Sequence, residues 1–114
     1  MTQPVLEVGE KVHIITRRHF KEDIRRHFAG TVLAVSGALI RVEGYSFIVS
    51  AISSETRRLS GARTRLFGLT DSSYILNVLP PSVMIDRLQY QTVNGRLMMA
   101  DSSSGFSLEV NEHN

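Results

Sequence analysis

Cysteine is absent from the 114 residues, which removes disulfides, thiolate metal sites and cysteine nucleophiles together. Long apolar runs are missing too: nothing approaches the ~18 uninterrupted residues that suggest a membrane-spanning helix, and no basic, apolar leader opens the chain. Neither a membrane span nor a secretory signal is therefore expected, and the cytoplasm is the expected compartment. Patterns that carry chemistry are equally scarce. The four histidines, His13, His19, His27 and His113, do not recur at a metal-ligand spacing. Ser102, Ser103 and Ser104 lack the Gly-x-Ser-x-Gly elbow of a nucleophilic serine, and no glycine-rich phosphate loop is present. The expectation is a non-enzymatic protein without a metal or cofactor, its histidines sitting on polar faces of strands or in loops.

What is present is apolar enough to fold. Hydrophobic residues make up 42% and charged residues 21%, an ordinary globular balance that excludes a disordered chain. The length suits one domain with one modest core. Charge is unevenly placed. From Lys11 to Arg65 eleven cationic side chains face four acidic ones, whereas from Leu66 onward two arginines face five acids. Eleven of the thirteen cationic residues are arginine, the residue suited to planar, bidentate contacts with phosphate or carboxylate. Such asymmetry points to an anionic partner for the first half, or to attraction between halves of neighbouring subunits.

The stretch from Phe28 to Val49 reads as one long, bent β-hairpin. Phe28, Gly30 and Val32 share one side of a period-2 strand, Ser36-Gly37 supplies a turn, and Ile40 and Val42 open the return strand. Beyond Gly44 the apolar residues change parity, to Tyr45, Phe47 and Val49. A β-bulge at that glycine explains the change, and a bulge would bend the ribbon toward a small barrel.

Around the hairpin, Val12 and Ile14 mark a first strand after the Gly9 turn. Between Thr16 and Gly30 the Arg-Arg-His-Phe sequence occurs twice, at 17–20 and 25–28, and two readings stand. One is an amphipathic helix carrying Phe20, Ile24 and Phe28; the other is a hairpin turning at Lys21-Glu22-Asp23 into a strand from Ile24 to Val35. Residues Ala51 to Thr64 read as a polar, mobile loop. Strands follow at Arg65–Leu69 and Ser73–Leu79, and Pro80-Pro81 stops the sheet. A further strand is expected from Val83 through Leu88 to Val93. Asn94-Gly95, the strongest hairpin signal, joins it to Arg96–Ala100, and Phe106–Val110 alternates as a last strand. Tyr45, Phe47, Phe67 and Tyr74 alternate with Val and Ile, so they are read as core rather than as base-stacking platforms. Seven or eight short strands in this length must close a barrel or stack two sheets.

The pattern Phe28-x-Gly30-x-Val32-x-x-Val35-x-x-x-Leu39-x-x-Val42-Glu43 resembles the first motif of the Sm-like proteins, over roughly Lys11 to Leu79. The resemblance implies a strongly bent barrel, homo-oligomeric rings joined edge to edge, and binding of single-stranded RNA. Ser36 and Ile40 stand where that family carries an Asp and an Asn, so the base-contacting turn is lacking. Together the expectations are an all-β Sm-like or SH3-like barrel over residues 1–80 and a C-terminal β-hairpin extension over 81–114. The expected function is backbone contact with RNA from Arg17, Arg18, Arg25, Arg26, Arg57, Arg58, Arg63 and Arg65. The alternative is a structural or protein-interaction barrel whose arginines make subunit contacts. Homo-oligomers are expected in either case, because short open barrels leave unpaired edges.

Overall fold

The β-branched and aromatic runs become strands. The computed structural model describes residues 5–16, 25–49, 56–70 and 74–110, and within them the protein is all-β, with nine strands where seven or eight were expected. These are β1 (Lys11–Thr16), β2 (Arg25–Ser36), β3 (Leu39–Val49), β4 (Thr56–Arg58), β5 (Arg63–Gly68), β6 (Tyr74–Leu79), β7 (Gln89–Val93), β8 (Arg96–Asp101) and β9 (Phe106–Glu109), with a 3-10 turn at Ile85–Arg87. They form two antiparallel sheets. The first runs in the order β4-β3-β2-β1-β6, with β5 also paired to β3, and the second in the order β7-β8-β9. No helix among the described residues is long and apolar enough to cross a membrane.

Pairing of β1 with β2 is antiparallel and runs from Lys11↔Thr31 to Thr16↔Arg26, so the described part of the contested segment is strand and not helix. Its expected turn at 21–23, and the first Arg-Arg-His-Phe copy, lie outside the described residues. The bulge expected at Gly44 is not there. β2 and β3 pass it in unbroken register, Ala29↔Tyr45, Gly30↔Gly44 and Thr31↔Glu43, and the irregularity falls between Val32 and Ala34 instead.

The change of parity has a different cause, which is that the first sheet buries both faces. Val12, Ile14, Phe28, Val32, Ile40, Val42 and Phe67 form one core on one of its faces. On the opposite face Ala29, Phe47, Val49 and Leu79 pack against Val83, Leu88, Leu97, Met99 and Val110 of the second half. Even positions of β3 before Gly44 serve the first core and odd positions after it serve the second, without any slip of register.

Gly30 and Gly44 face each other across the hairpin. A Cβ on Gly44 would lie 2.5 Å from Gly30 Cα and 2.7 Å from the Ala29 carbonyl carbon, and one on Gly30 would lie 2.8 Å from Val42 Cγ1. Real Cβ atoms do not approach closer than about 3.0 Å, so both positions require glycine for space.

Two expectations for the second half of the chain are corrected. The segment read as a loop over 51–64 contains β4, which pairs with the end of β3 through Ile48↔Arg57; residues 51–55 lie outside the described part. The strand expected from Val83 to Val93 is interrupted by the 3-10 turn, where Arg87 N–H donates to Met84 O at 2.9 Å, and only Gln89–Val93 joins a sheet. Asn94 and Gly95 make the expected turn between β7 and β8, both with positive φ, 52° and 77°, as a type I′ turn demands.

Candidate functional site

Residues directly opposed on neighbouring strands share a face, so register places the arginines. Arg26 on β2 opposes Ile48, and Ile48 opposes Arg57 on β4. At ~4.8 Å per strand the two arginines stand about 10 Å apart in one row. Arg65 opposes Val42 and Arg63 opposes Gly44, on the face of the first core. Arg26 and Arg65 line one shallow depression with Thr16, Ser46 and Ile48. Arg26, Arg57, Arg63 and Arg65 are all exposed, and none is in an ion pair among the described residues.

Arg25 and Arg58 belong to the opposite face, since they oppose Val49 and Phe47. Arg58 holds its guanidinium 4.5 Å from the centre of the Tyr45 ring and donates Nη1–H to Asp86 O at 2.8 Å. It ties the first sheet to the 3-10 turn that precedes the second. Of the eight predicted arginines the fold thus brings four to one face and builds two into the seam. Arg17 and Arg18 lie outside the described residues.

The seam also holds two histidines that the sequence reading had placed on polar faces. His13 opposes Ala29 and Asn77, and His27 opposes Phe47, so both rings face the second sheet; they are 0% and 2% exposed. Tyr90 of β7 closes over them. Its hydroxyl lies 2.9 Å from His13 Nε2 and 2.5 Å from His27 Nδ1, the two ring nitrogens lie 3.2 Å apart, and the Tyr90 ring stacks on Phe47 at 4.9 Å. Asn77 Nδ2 lies 3.4 Å from His13 Nδ1. With the Asn77 amide donating there, the His13 proton sits on Nε2 and goes to Tyr90, and Tyr90 O–H donates to His27 Nδ1. His27 Nε2 is then a buried nitrogen with no partner among the described residues.

Burial sets the charge state of this chain. Burial first, and the adjacent His27 second, lower the His13 pKa to about 3; burial and the Arg25 charge lower that of His27 to about 4. Both rings are neutral at pH 7. Tyr90 is pushed up by burial and stays protonated. No group of three or more His, Cys, Asp or Glu side chains that could hold a metal exists among the described residues.

The sequence did carry a signal for the buried histidines. Val12-His13-Ile14-Ile15 and Phe28-Ala29 after His27 are apolar on both parities, the mark of a strand covered on both faces.

A second buried polar group fixes the loop that enters the second sheet. The Asp101 carboxylate accepts from Met84 N–H at 2.8 Å, Ser103 N–H at 3.0 Å and Ser104 Oγ–H at 2.8 Å. Foremost the Met84 N–H, then the Ser103 hydroxyl, hold its pKa well below the usual carboxylate range. Between β4 and β7 lies an open cleft of about 320 Å³, with Thr56, Arg57 and Arg58 on one side and Asp86, Gln89 and Tyr90 on the other. No protein-family model matches the chain, and no curated protein or solved structure gives a significant match.

Proposed function

We propose that the protein is a small, strongly bent barrel module of Sm-like or SH3-like type that binds single-stranded nucleic acid by its phosphates. What supports the barrel reading is the strand order of the first sheet, an open one in which β6 returns to pair with β1 while β4 and β5 share β3. Four exposed arginines on one face, none of them in an ion pair among the described residues, carry the binding reading. Their contacts are to backbone and independent of base sequence. Four phosphates neutralised on a single strand give a slope of about −2.8 in log K against log salt.

Fluorescence anisotropy with a single-stranded oligonucleotide, titrated across a salt series, tests this. Changing Arg26 and Arg65 to alanine together should flatten the slope by about 1.4. Arg58→Ala should leave it alone, because that guanidinium is already engaged. Absence of binding at low salt, or a slope indifferent to Arg26 and Arg65, overturns the proposal.

The interaction-barrel reading is favoured by one observation of its own. Leu66 and Val78 are 58% and 54% exposed, and they lie on β5 and β6, which among the described residues each pair on one side only. Unpaired edges with apolar side chains favour self-assembly. On that reading Leu66→Glu lowers the mass measured by light scattering, and an unchanged mass speaks against it.

A further inference from the structure

No strand of β7–β9 pairs with a strand of β1–β6. The second sheet is therefore held to the first by side chains and by the connection through Pro80 and Pro81. Lys11 Nζ donates to the carbonyls of Pro81, at 2.7 Å, and Val83. Arg58 donates to that of Asp86, and the apolar core described above fills the middle. A further tie is the chain Asn77–His13–Tyr90–His27. Of these ties only the histidines change charge between pH 5 and 8.

We infer that the second sheet is an acid-released lid, which neutral His13 and His27 allow to close over the first sheet and which their protonation opens as a unit about the Pro80–Val83 connection. The surroundings of the two rings do not favour a charge in the closed state. Facing the pair are Arg25 from β2, Asn77 from β6, Phe47 from β3 and Tyr90 from β7; among the described residues no carboxylate faces it. A proton on His27 Nδ1 turns that nitrogen into a donor toward Tyr90 O, which leaves the Tyr90 hydroxyl hydrogen without the acceptor it now has.

Opening returns both rings to water and to the ordinary histidine pKa near 6.5. The closed state holds its histidines at about 3 and about 4, so between those values and 6.5 the open state binds more protons. The closed form is thus favoured as pH rises and lost as pH falls. From pH 7 to pH 5 the linkage is about 25-fold per histidine, or about 500-fold toward the open form for the pair.

Amide hydrogen exchange of the full chain at pH 7 and pH 5, corrected for intrinsic rates, reads this directly. Protection of β7–β9 amides should fall about 500-fold, while Val12, Ile14 and Val42 in the first core keep theirs. In His27→Gln, whose amide can still accept from Tyr90, the fall should shrink by about 25-fold. The wild-type comparison stands even if the variant does not fold. Protection of β7–β9 that is indifferent to pH, a parallel loss in both sheets, or an undiminished pH effect in a folded His27→Gln protein overturns the inference.

Discussion

Placing a methyl group on Gly44 is the sharpest perturbation of the fold. The new Cβ would stand 2.5 Å from Gly30 Cα and 2.7 Å from the Ala29 carbonyl carbon, and nearest of all to the Ala29 carbonyl oxygen. Every one of these is backbone, so no side-chain rotation relieves the overlap, and β2 and β3 must separate by about an ångström where they now pair. Separation forfeits the ladder bonds around Gly30↔Gly44 at about 1 kcal/mol each and loosens Ala29 and Phe47, both of the second core. Gly44→Ala should cost about 3–5 kcal/mol, at the rare end for a single substitution. Gly30→Ala meets Glu43 backbone and Val42 Cγ1 and should cost nearly as much. Gly68 is the control: a Cβ there meets nothing within 4 Å, so Gly68→Ala should stay within about 0.5 kcal/mol. Urea denaturation followed by far-ultraviolet circular dichroism compares the three. Gly44→Ala within about 1 kcal/mol of the parent, or Gly68→Ala equally damaging, would refute the close crossing as the reason for these glycines.

Other perturbations address the seam and the turns. Tyr90→Phe removes the hydroxyl that bonds both imidazoles and leaves His13 Nε2 and His27 Nδ1 only each other, at 3.2 Å, a loss of about 1–3 kcal/mol measurable as a lower urea midpoint. Asp101→Asn weakens the acceptor that holds Met84 and Ser103. Because the native carboxylate titrates below its ordinary value, its contribution is present above about pH 4 and lost as pH falls through the depressed value. The variant should melt lower than the parent at pH 7, and the gap should narrow at pH 2; equal melting at pH 7 refutes the role. Gly95→Val forces a β-branched residue to positive φ and should cost about 1–2 kcal/mol, with a parent-like midpoint arguing against the type I′ turn.

Strands were legible wherever their own side chains specify them, as at Val12-Ile14 and Phe28–Val49. β4 was not, because Thr56-Arg57-Arg58 has little strand character of its own and is a strand only by pairing with β3. The change of apolar parity at Gly44 was visible, but a sequence cannot distinguish one face slipping from two faces buried; only the second sheet, arriving from residues 83–110, settles that. The same long-range packing hid the histidines. Fourteen residues separate His13 from His27, and Tyr90 lies 63 further on, so no local spacing announces the cluster. Of the arginines, residue type was legible and sidedness was not. Alternation sends Arg57 and Arg58 to opposite faces, and only the register shows which face is open.

The proposed phosphate-binding face is tested most directly by the amide shifts of the labelled protein on addition of a single-stranded oligonucleotide. Perturbations are expected at Arg26, Ile48, Arg57, Arg63 and Arg65, fading as salt is raised. Perturbations confined to β8 and β9, or none at low salt, would contradict it.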